Sequence, residues 1–205
     1  MANITLYATA SDYDSGSGSY RDIVYDGVTY TYGEGSSDNT YTLVDAAATT
    51  AKAAFEGVAA GGTIVVGSNV AVTDQIHLDS DITVGGLVGE DGEALYTISY
   101  EGDGLTVGWS AMFWGDAGAQ ISFSDVAIDG NELARMFRIT ADAGSGASLT
   151  IDNVQFIDGY MAAGDAGAII MDGGGTVAET GEIKTVGDLT ITGSTFTNCS
   201  ASNAN

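Results

Sequence analysis

The chain has 205 residues, of which 30 are Gly, none is Pro and 44% are hydrophobic. Its formal net charge is −23, because 28 Asp and Glu residues outnumber 5 Lys and Arg residues. A field of that sign repels phosphate backbones and anionic bilayers, so we expect neither nucleic-acid binding nor membrane insertion of this segment. The apolar content is high enough for a packed core, and we expect a folded chain.

The N-terminal quarter contains a hairpin pattern and an Ala-rich pattern. In "YRDIVYDGVTYTYGEG" (residues 20–35) an Asp-Gly pair separates two runs rich in Tyr and Val, which is typical of a tight β-hairpin. The passage "LVDAAATTAKAAFEGVAAGG" predicts an α-helix over about residues 43–60 that ends at a Gly pair. We interpret residues 1–60 as a cap over the exposed sheet edge of residues 61–205.

Short strand-like runs bounded by Gly and Asp follow the predicted helix. They are "GGTIVVG" (residues 61–67), "DQIHLDSDITVGG" (74–86) and "ALYTISYEG" (94–102). Each is too short for a helix and rich in β-branched or aromatic residues, so each predicts a strand.

One sequence pattern then occurs three times, as "AQISFSDVAIDGN", "ASLTIDNVQFIDG" and "GDLTITGSTFTNC". Each copy has two apolar anchors seven positions apart, and the anchor pairs are Ile121/Ile128, Leu149/Phe156 and Leu189/Phe196. A small or polar pair between the anchors predicts a bend between two strands. A third apolar segment precedes each copy: "AMFWG", "ARMFRI" and "AGAIIM". Each unit is therefore predicted to contain three short strands.

The spacing of the units distinguishes between two architectures. Ile121 and Leu149 are 28 residues apart, Leu149 and Leu189 are 40, and all the variation lies in one connection. An antiparallel sandwich would use tight hairpin turns without a repeat in register. In a parallel β-helix, equivalent residues stack at about 4.8 Å and must match in type, as they do here. The sequence predicts an all-β fold, a single-stranded parallel β-helix (solenoid) with an N-terminal β-hairpin and a capping α-helix.

The repeats resemble a known superfamily. Residues 134–175 and 187–203 are similar to the pectin-lyase-like right-handed parallel β-helix superfamily, and most similar to the polymorphic outer membrane protein repeats of adhesins and autotransporter passenger domains. Those repeats carry Gly-Gly-Ala-Ile and then a Phe-x-x-Asn strand. Residues 166–169 read Ala-Gly-Ala-Ile, and residues 196–199 read Phe-Thr-Asn-Cys, with Cys in place of the final Asn. The resemblance spans roughly residues 60–203.

The resemblance implies a right-handed coil and a role at a bacterial cell surface or in the extracellular medium, which the Lys-poor composition also favours. In such repeats the segment similar to "NCSASNAN" leads into a further coil. We therefore interpret residues 61–205 as the N-terminal part of a longer solenoid, or as a solenoid whose open C-terminal coil contacts another molecule or a second copy.

Enzymes with this fold that act on polysaccharides place Asp residues beside Arg, Lys or His. The basic residues of this chain are scattered, and the one set that we can assemble is Arg135 and Arg138 with Asp129 and Asp158. These four are weak candidates for catalysis, and a surface salt bridge is the alternative interpretation. We expect no catalytic residue. If the chain is an enzyme, it is a polysaccharide lyase or glycoside hydrolase.

The aromatic stretch "GWSAMFWGD" contains candidate ligand-binding residues. Trp109 and Trp114 are candidates for stacking on a sugar, although one or two of Trp109, Phe113 and Trp114 are expected to face the core. His77 is interpreted as an outward strand residue, and Cys199 as an interior or stacked small residue.

No metal site is predicted, and calcium is the alternative that we consider. Asp and Gly occur together in residues 10–19, 88–93 and 164–167. None of these stretches has an EF-hand loop or a Gly-Gly-x-Gly-x-Asp repeat, so turn formation explains them.

Three functions remain open. The first is a non-catalytic cell-surface or secreted segment, an adhesin or structural stalk, that contacts a host or neighbouring-cell protein or glycan through variable loops, especially residues 171–185. The second is a polysaccharide-acting enzyme or carbohydrate-binding module on the same fold. The third is a self-assembling fibre subunit.

Overall fold

The computed structural model describes residues 4–13, 22–32, 39–105, 108–116, 118–143, 146–162, 164–174, 176 and 182–202. The protein is all-β, with 48% strand and 5% helix, and it contains several parallel sheets, which confirms the predicted class. Within the described residues, neither helix has the length and apolarity needed to cross a membrane.

The first half of the chain contains β1 (Ile4–Ala8), α1 (Ala10–Tyr13), β2 (Ile23–Tyr25), β3 (Val28–Tyr30), β4 (Tyr41–Asp45), α2 (Ala51–Glu56), β5 (Gly62–Val66), β6 (Val70–Val72), β7 (Ile76–Leu78), β8 (Ile82–Gly85) and β9 (Thr97–Tyr100). The second half contains β10 (Phe113–Gly115), β11 (Gln120–Ser124), β12 (Ala127–Asp129), β13 (Phe137–Thr140), β14 (Asp142–Ala143), β15 (Ser148–Asp152), β16 (Gln155–Ile157), β17 (Tyr160–Met161), β18 (Ile169–Asp172), β19 (Lys184–Thr185), β20 (Leu189–Thr192), β21 (Thr195–Thr197) and β22 (Ser200–Ala201).

Three parallel sheets contain most of these strands. The first sheet has the order β20-β15-β11-β8-β5-β1-β4, the second has the order β21-β16-β12-β9-β6, and the third has the order β18-β13-β10-β7. From β5 onward the chain visits the first, second and third sheets in turn and then returns to the first. Each visit places a new strand beside the strand of the previous visit.

The predicted registers are confirmed. In the first sheet Leu149 pairs with Ile121 on one side and Leu189 on the other. In the second sheet Phe156 pairs with Ile128 and Phe196. Successive residues of a strand point to opposite faces, and Ile121, Leu149, Ile128 and Phe156 face a common core. That core also contains a cluster of aromatic rings, with Phe113 and Phe137 stacked at 5.2 Å between centroids.

The N-terminal helix is shorter than predicted, and the prediction of a helix over residues 43–60 is wrong for its first part. Tyr41–Asp45 is a strand that pairs in parallel with β1, and α2 covers only Ala51–Glu56. The Thr50 hydroxyl caps α2 by accepting a hydrogen bond from the Ala53 amide. Phe55, on the buried side of α2, packs against Phe113 with 5.7 Å between ring centroids.

The predicted hairpin is confirmed in β2 and β3, which pair antiparallel. Its turn residues Asp26 and Gly27 both have positive φ, as a tight two-residue turn requires. Tyr25 lies directly over Gly85 of the first sheet, where any side chain would clash with the tyrosine ring. Burial is the main cause that raises the pKa of Tyr25, and its hydrogen bond with Ser124 opposes that effect.

The two variable connections contact each other, which the sequence did not predict. β14 lies in the connection between β13 and β15, and β19 lies in the connection between β18 and β20. They pair antiparallel, Asp142 with Thr185 and Ala143 with Lys184. Part of the predicted contact loop 171–185 lies outside the described residues.

Candidate functional site

The outward face of the third sheet carries an imidazole, an indole and a guanidinium on neighbouring strands. The strand register places His77 of β7 beside Trp114 of β10, Trp114 beside Arg138 of β13, and Arg138 beside Ile170 of β18. Residues on either side of His77, Trp114 and Arg138 in these strands face the core. Strand alternation therefore places these three side chains in one outward row.

The row is a continuous stack. The His77 imidazole lies 5.1 Å from the Trp114 ring with an interplanar angle of 26°. The guanidinium carbon of Arg138 lies 4.2 Å from the Trp114 ring centroid and 5.0 Å from that of Trp109, which belongs to the turn before β10. Both distances allow cation–π attraction. We call His77, Trp114, Arg138 and Trp109 the outer ladder.

The charge of Arg138 is neutralised within the sheet. Its Nη2 donates to Oδ2 of Asp172 on β18 at 2.8 Å. The remaining Nε and Nη1 atoms are buried and make no hydrogen bond within the described residues. The arginine side chain is 10% exposed, whereas Trp109 is 60% exposed. Solvent therefore meets an indole face here and not a free guanidinium.

Hydrogen bonds fix the orientation of the Trp114 ring. Its Nε1 donates to the hydroxyl of Thr140 at 3.4 Å, and that hydroxyl donates to the Gly115 carbonyl at 3.1 Å. Because strand pairing places Thr140 beside Asp172, indole, hydroxyl and carboxylate lie on neighbouring strands of one face. The sheet thus pre-arranges the His77, Trp114 and Arg138 part of the ladder.

The β7 end of the ladder is tied to helix α2. The Glu56 carboxylate accepts from the backbone N–H of His77 and from the Lys52 ammonium, both at 2.8 Å. Burial alone would raise the pKa of Glu56, but these hydrogen bonds outweigh it and hold the pKa below its usual range.

Arg135 has a different environment. Its side chain is buried at 1% exposure, and it donates from Nε to the Ala166 carbonyl at 3.0 Å and from Nη2 to the Asp165 carbonyl at 2.7 Å. Desolvation is the main cause that lowers its pKa, with a smaller contribution from Arg138. Arg135 therefore holds the turn before β18 in place.

Of the four weak catalytic candidates, Asp129 and Arg138 lie in strands of two different sheets, whereas Arg135 and Asp158 lie in connections. Asp129 ends β12 in the second sheet, where its Oδ1 accepts from the Asn131 amide at 2.7 Å, and Asp158 follows β16 in the same sheet with φ of 50°. Arg138 lies in the third sheet and pairs with Asp172. The sequence missed Asp172 because its partner strand is 34 residues away, across a variable connection.

The remaining candidates are placed as follows. His77 points outward, as predicted, and of the three aromatic residues Trp109, Phe113 and Trp114 it is Phe113 that faces the core. Cys199 is half-buried, and desolvation raises the pKa of its thiol. Of the Asp/Gly stretches, residues 88–93 and 164–167 are described, and part of 10–19 lies outside the described residues. No group of three or more His, Cys, Asp and Glu that could hold a metal occurs in the described part of the chain.

Comparisons of the chain with protein-family models, with curated proteins and with solved structures gave no match. The interpretation of the outer ladder therefore depends on its own geometry.

Proposed function

We propose that the three parallel sheets are the walls of a parallel β-helix of the pectin-lyase-like type. The support is the order in which the chain visits the sheets, together with the columns of matching apolar residues. In this interpretation each visit to the three sheets is one coil, and α2 with the β2–β3 hairpin covers the N-terminal coils.

The β-helix serves as a non-catalytic contact scaffold at the cell surface or outside the cell, in an adhesin or structural stalk. One observation carries this proposal: the outer ladder presents the indole of Trp109, which is 60% exposed, beside a second indole and an arginine that the sheet holds in place. Rigid aromatic faces with a few fixed polar groups are typical of binding surfaces.

The environment of the arginines favours binding over catalysis. A lyase or hydrolase needs a base or acid free to exchange a proton, and a cation free to stabilise developing charge. Arg138 is paired with Asp172, and Arg135 is bonded to two backbone carbonyls. Neither guanidinium is available to a substrate without breaking these contacts.

An array of surface glycans and extracellular matrix proteins tests the proposal. We expect the wild-type chain to bind at least one class, and Trp109→Ala to lose that binding. Leu95→Ala is the matched control, because Leu95 is also exposed, at 54%, but lies in another part of the chain. Equal binding by the wild type and Trp109→Ala would contradict a binding role for this face. Turnover of a polysaccharide by the wild type would contradict a non-catalytic role.

A second candidate function, self-association into fibres, is favoured by the last strands. Leu189, Ile191 and Phe196 continue the apolar columns, yet they are 42%, 40% and 48% exposed. A second copy that pairs with these strand edges would cover them. In sedimentation velocity, the sedimentation coefficient should increase with protein concentration. Phe196→Asp should abolish this increase, and Leu95→Asp should not. A wild-type monomer at every concentration would contradict the idea.

A further inference from the structure

We infer that the outer ladder selects uncharged glycans over acidic ones. This inference rests on the proposed function, because it names the ligand class of the same surface. Three features carry it: the exposed aromatic face, the neutralised arginine and the direction of the ladder across the strands.

The aromatic face favours a sugar. Trp109 is 60% exposed and Trp114 is half-buried, so the ladder offers a flat apolar surface with polar groups at its margin. A pyranose ring has the complementary arrangement, with C–H groups on its face and hydroxyls around its edge. Stacking the ring face on an indole buries both apolar surfaces and leaves the hydroxyls free to hydrogen-bond.

The arginine disfavours a carboxylate. Asp172 already occupies Nη2 of Arg138, and Nε and Nη1 have no accessible surface. A uronate would have to displace Asp172 or an indole to form the bidentate pair that makes arginine a strong carboxylate ligand. It would also enter the field of a chain whose net charge is −23. An acidic sugar therefore meets repulsion without gaining an ion pair.

The ladder also sets the direction of the ligand. His77, Trp114 and Arg138 lie on three neighbouring strands of one sheet, which are separated by about 4.8 Å. A linear glycan that crosses the strands at right angles would contact the imidazole and the indoles in turn, while the arginine, only 10% exposed, stays largely covered. The Thr140 hydroxyl and the second oxygen of Asp172 lie on the same face, where sugar hydroxyls could reach them.

The test compares two probes of the same linkage, β-1,4-linked mannohexaose and β-1,4-linked hexamannuronate, within a wider panel of neutral and acidic oligosaccharides. Calorimetry and tryptophan fluorescence would be measured with the full chain at low and high salt. We expect wild type to bind neutral members more tightly than their acidic counterparts by roughly tenfold or more, and Trp109→Ala to lose this binding.

Asp172→Asn tests directly whether the ion pair sets the selectivity. It keeps the shape of the side chain and removes the charge that neutralises Arg138, so the preference for neutral sugars should shrink. Circular dichroism and thermal melting would confirm that the variant is folded, and Asp129→Asn is the matched control, since Asp129 lies in the second sheet.

The outcomes separate the two proposals. Tighter or equal binding of the acidic member at low salt would overturn the inference and leave the contact surface standing. Binding to a protein ligand but to no glycan would also overturn the inference and leave the contact surface standing. Failure of every glycan and protein to bind would remove both. An unchanged preference in Asp172→Asn would show that the ion pair does not set the selectivity.

Discussion

The two faces of the third sheet are built from alternate residues of the same strands, yet they differ in kind. The inward column contains Ile76, Phe113, Phe137 and Ile169, which are interchangeable in type. The outward row contains His77, Trp114, Arg138 and Ile170, and the first three each contact a specific side chain. The inward column needs only apolar volume that fits, whereas the outward row needs particular rings and charges in a particular order. Stability should therefore depend on the first face and recognition on the second.

The largest expected effect comes from the inward face. Phe137 is fully buried and stacks on Phe113, with Phe123 at its edge 4.8 Å away. Phe137→Ala should lower the free energy of unfolding by about 3–5 kcal/mol, because it leaves a cavity between three rings. Denaturant melts would measure this loss, and a loss below about 1 kcal/mol would contradict a common aromatic core.

The position of a residue along an apolar column should affect stability nearly as much as the face on which it lies. Leu149 has no exposure and Leu189, its partner in register, is 42% exposed. Leu149→Ala should cost about 2–5 kcal/mol, while Leu189→Ala should cost less than half as much, because less apolar area leaves the solvent on folding. Equal costs in the same melts would mean that Leu189 is covered in solution.

The ion pair on the outward face should have an intermediate effect on stability. Asp172→Ala leaves the Arg138 charge buried without a partner and should cost about 1–2 kcal/mol, reduced from a fully buried pair because the carboxylate is 32% exposed. Arg138→Met keeps most of the apolar stem and should cost less. A larger loss of stability in Arg138→Met than in Asp172→Ala would show that packing of the arginine stem, and not neutralisation of its charge, stabilises this face.

The tie between α2 and β7 should depend on pH. The pKa of Glu56 is lower in the folded chain than in the unfolded chain. Its contribution to the free energy of unfolding is therefore fully present above the unfolded pKa and is lost as pH falls through the folded pKa. The contribution should be small, about 0.3–0.5 kcal/mol, because the Lys52 pair is largely exposed. Glu56→Gln should flatten the acid side of the stability curve, and an unaltered curve would contradict this assignment.

The smallest effect on stability is expected where the effect on binding is largest. Trp109→Ala should change the free energy of unfolding by no more than about 0.5 kcal/mol, because the ring is mostly solvated. It should nevertheless abolish ligand binding to the outer ladder. A loss of binding accompanied by a large loss of stability would instead indicate that Trp109 is part of the core.

The sequence predicts the inward columns because they are periodic. Ile121, Leu149 and Leu189 begin three copies of one pattern, and their strands pair in that register. The outward row has no such period. Trp114 is 37 residues from His77 and 24 from Arg138 in the chain, and its neighbours are known only once every intervening connection is placed.

The helix prediction failed for a local reason. Ala-rich composition extended the predicted helix back to Leu43, but Tyr41–Asp45 contains residues that favour strands and finds a partner in β1. Strand pairing with a segment some 37 residues upstream thus overrode helix propensity. A window of neighbouring residues holds no information about that partner.

The pairing of β14 with β19 has a consequence for how the molecule can vary. Each connection supplies one strand of a small antiparallel ribbon, so a residue inserted within β14 or β19 would shift the register of their pairing. The connection that contains β19 is the longer of the two, and the ribbon forms despite that difference. The paired residues of the two connections should therefore change together, whereas the rest of each connection can change in length independently.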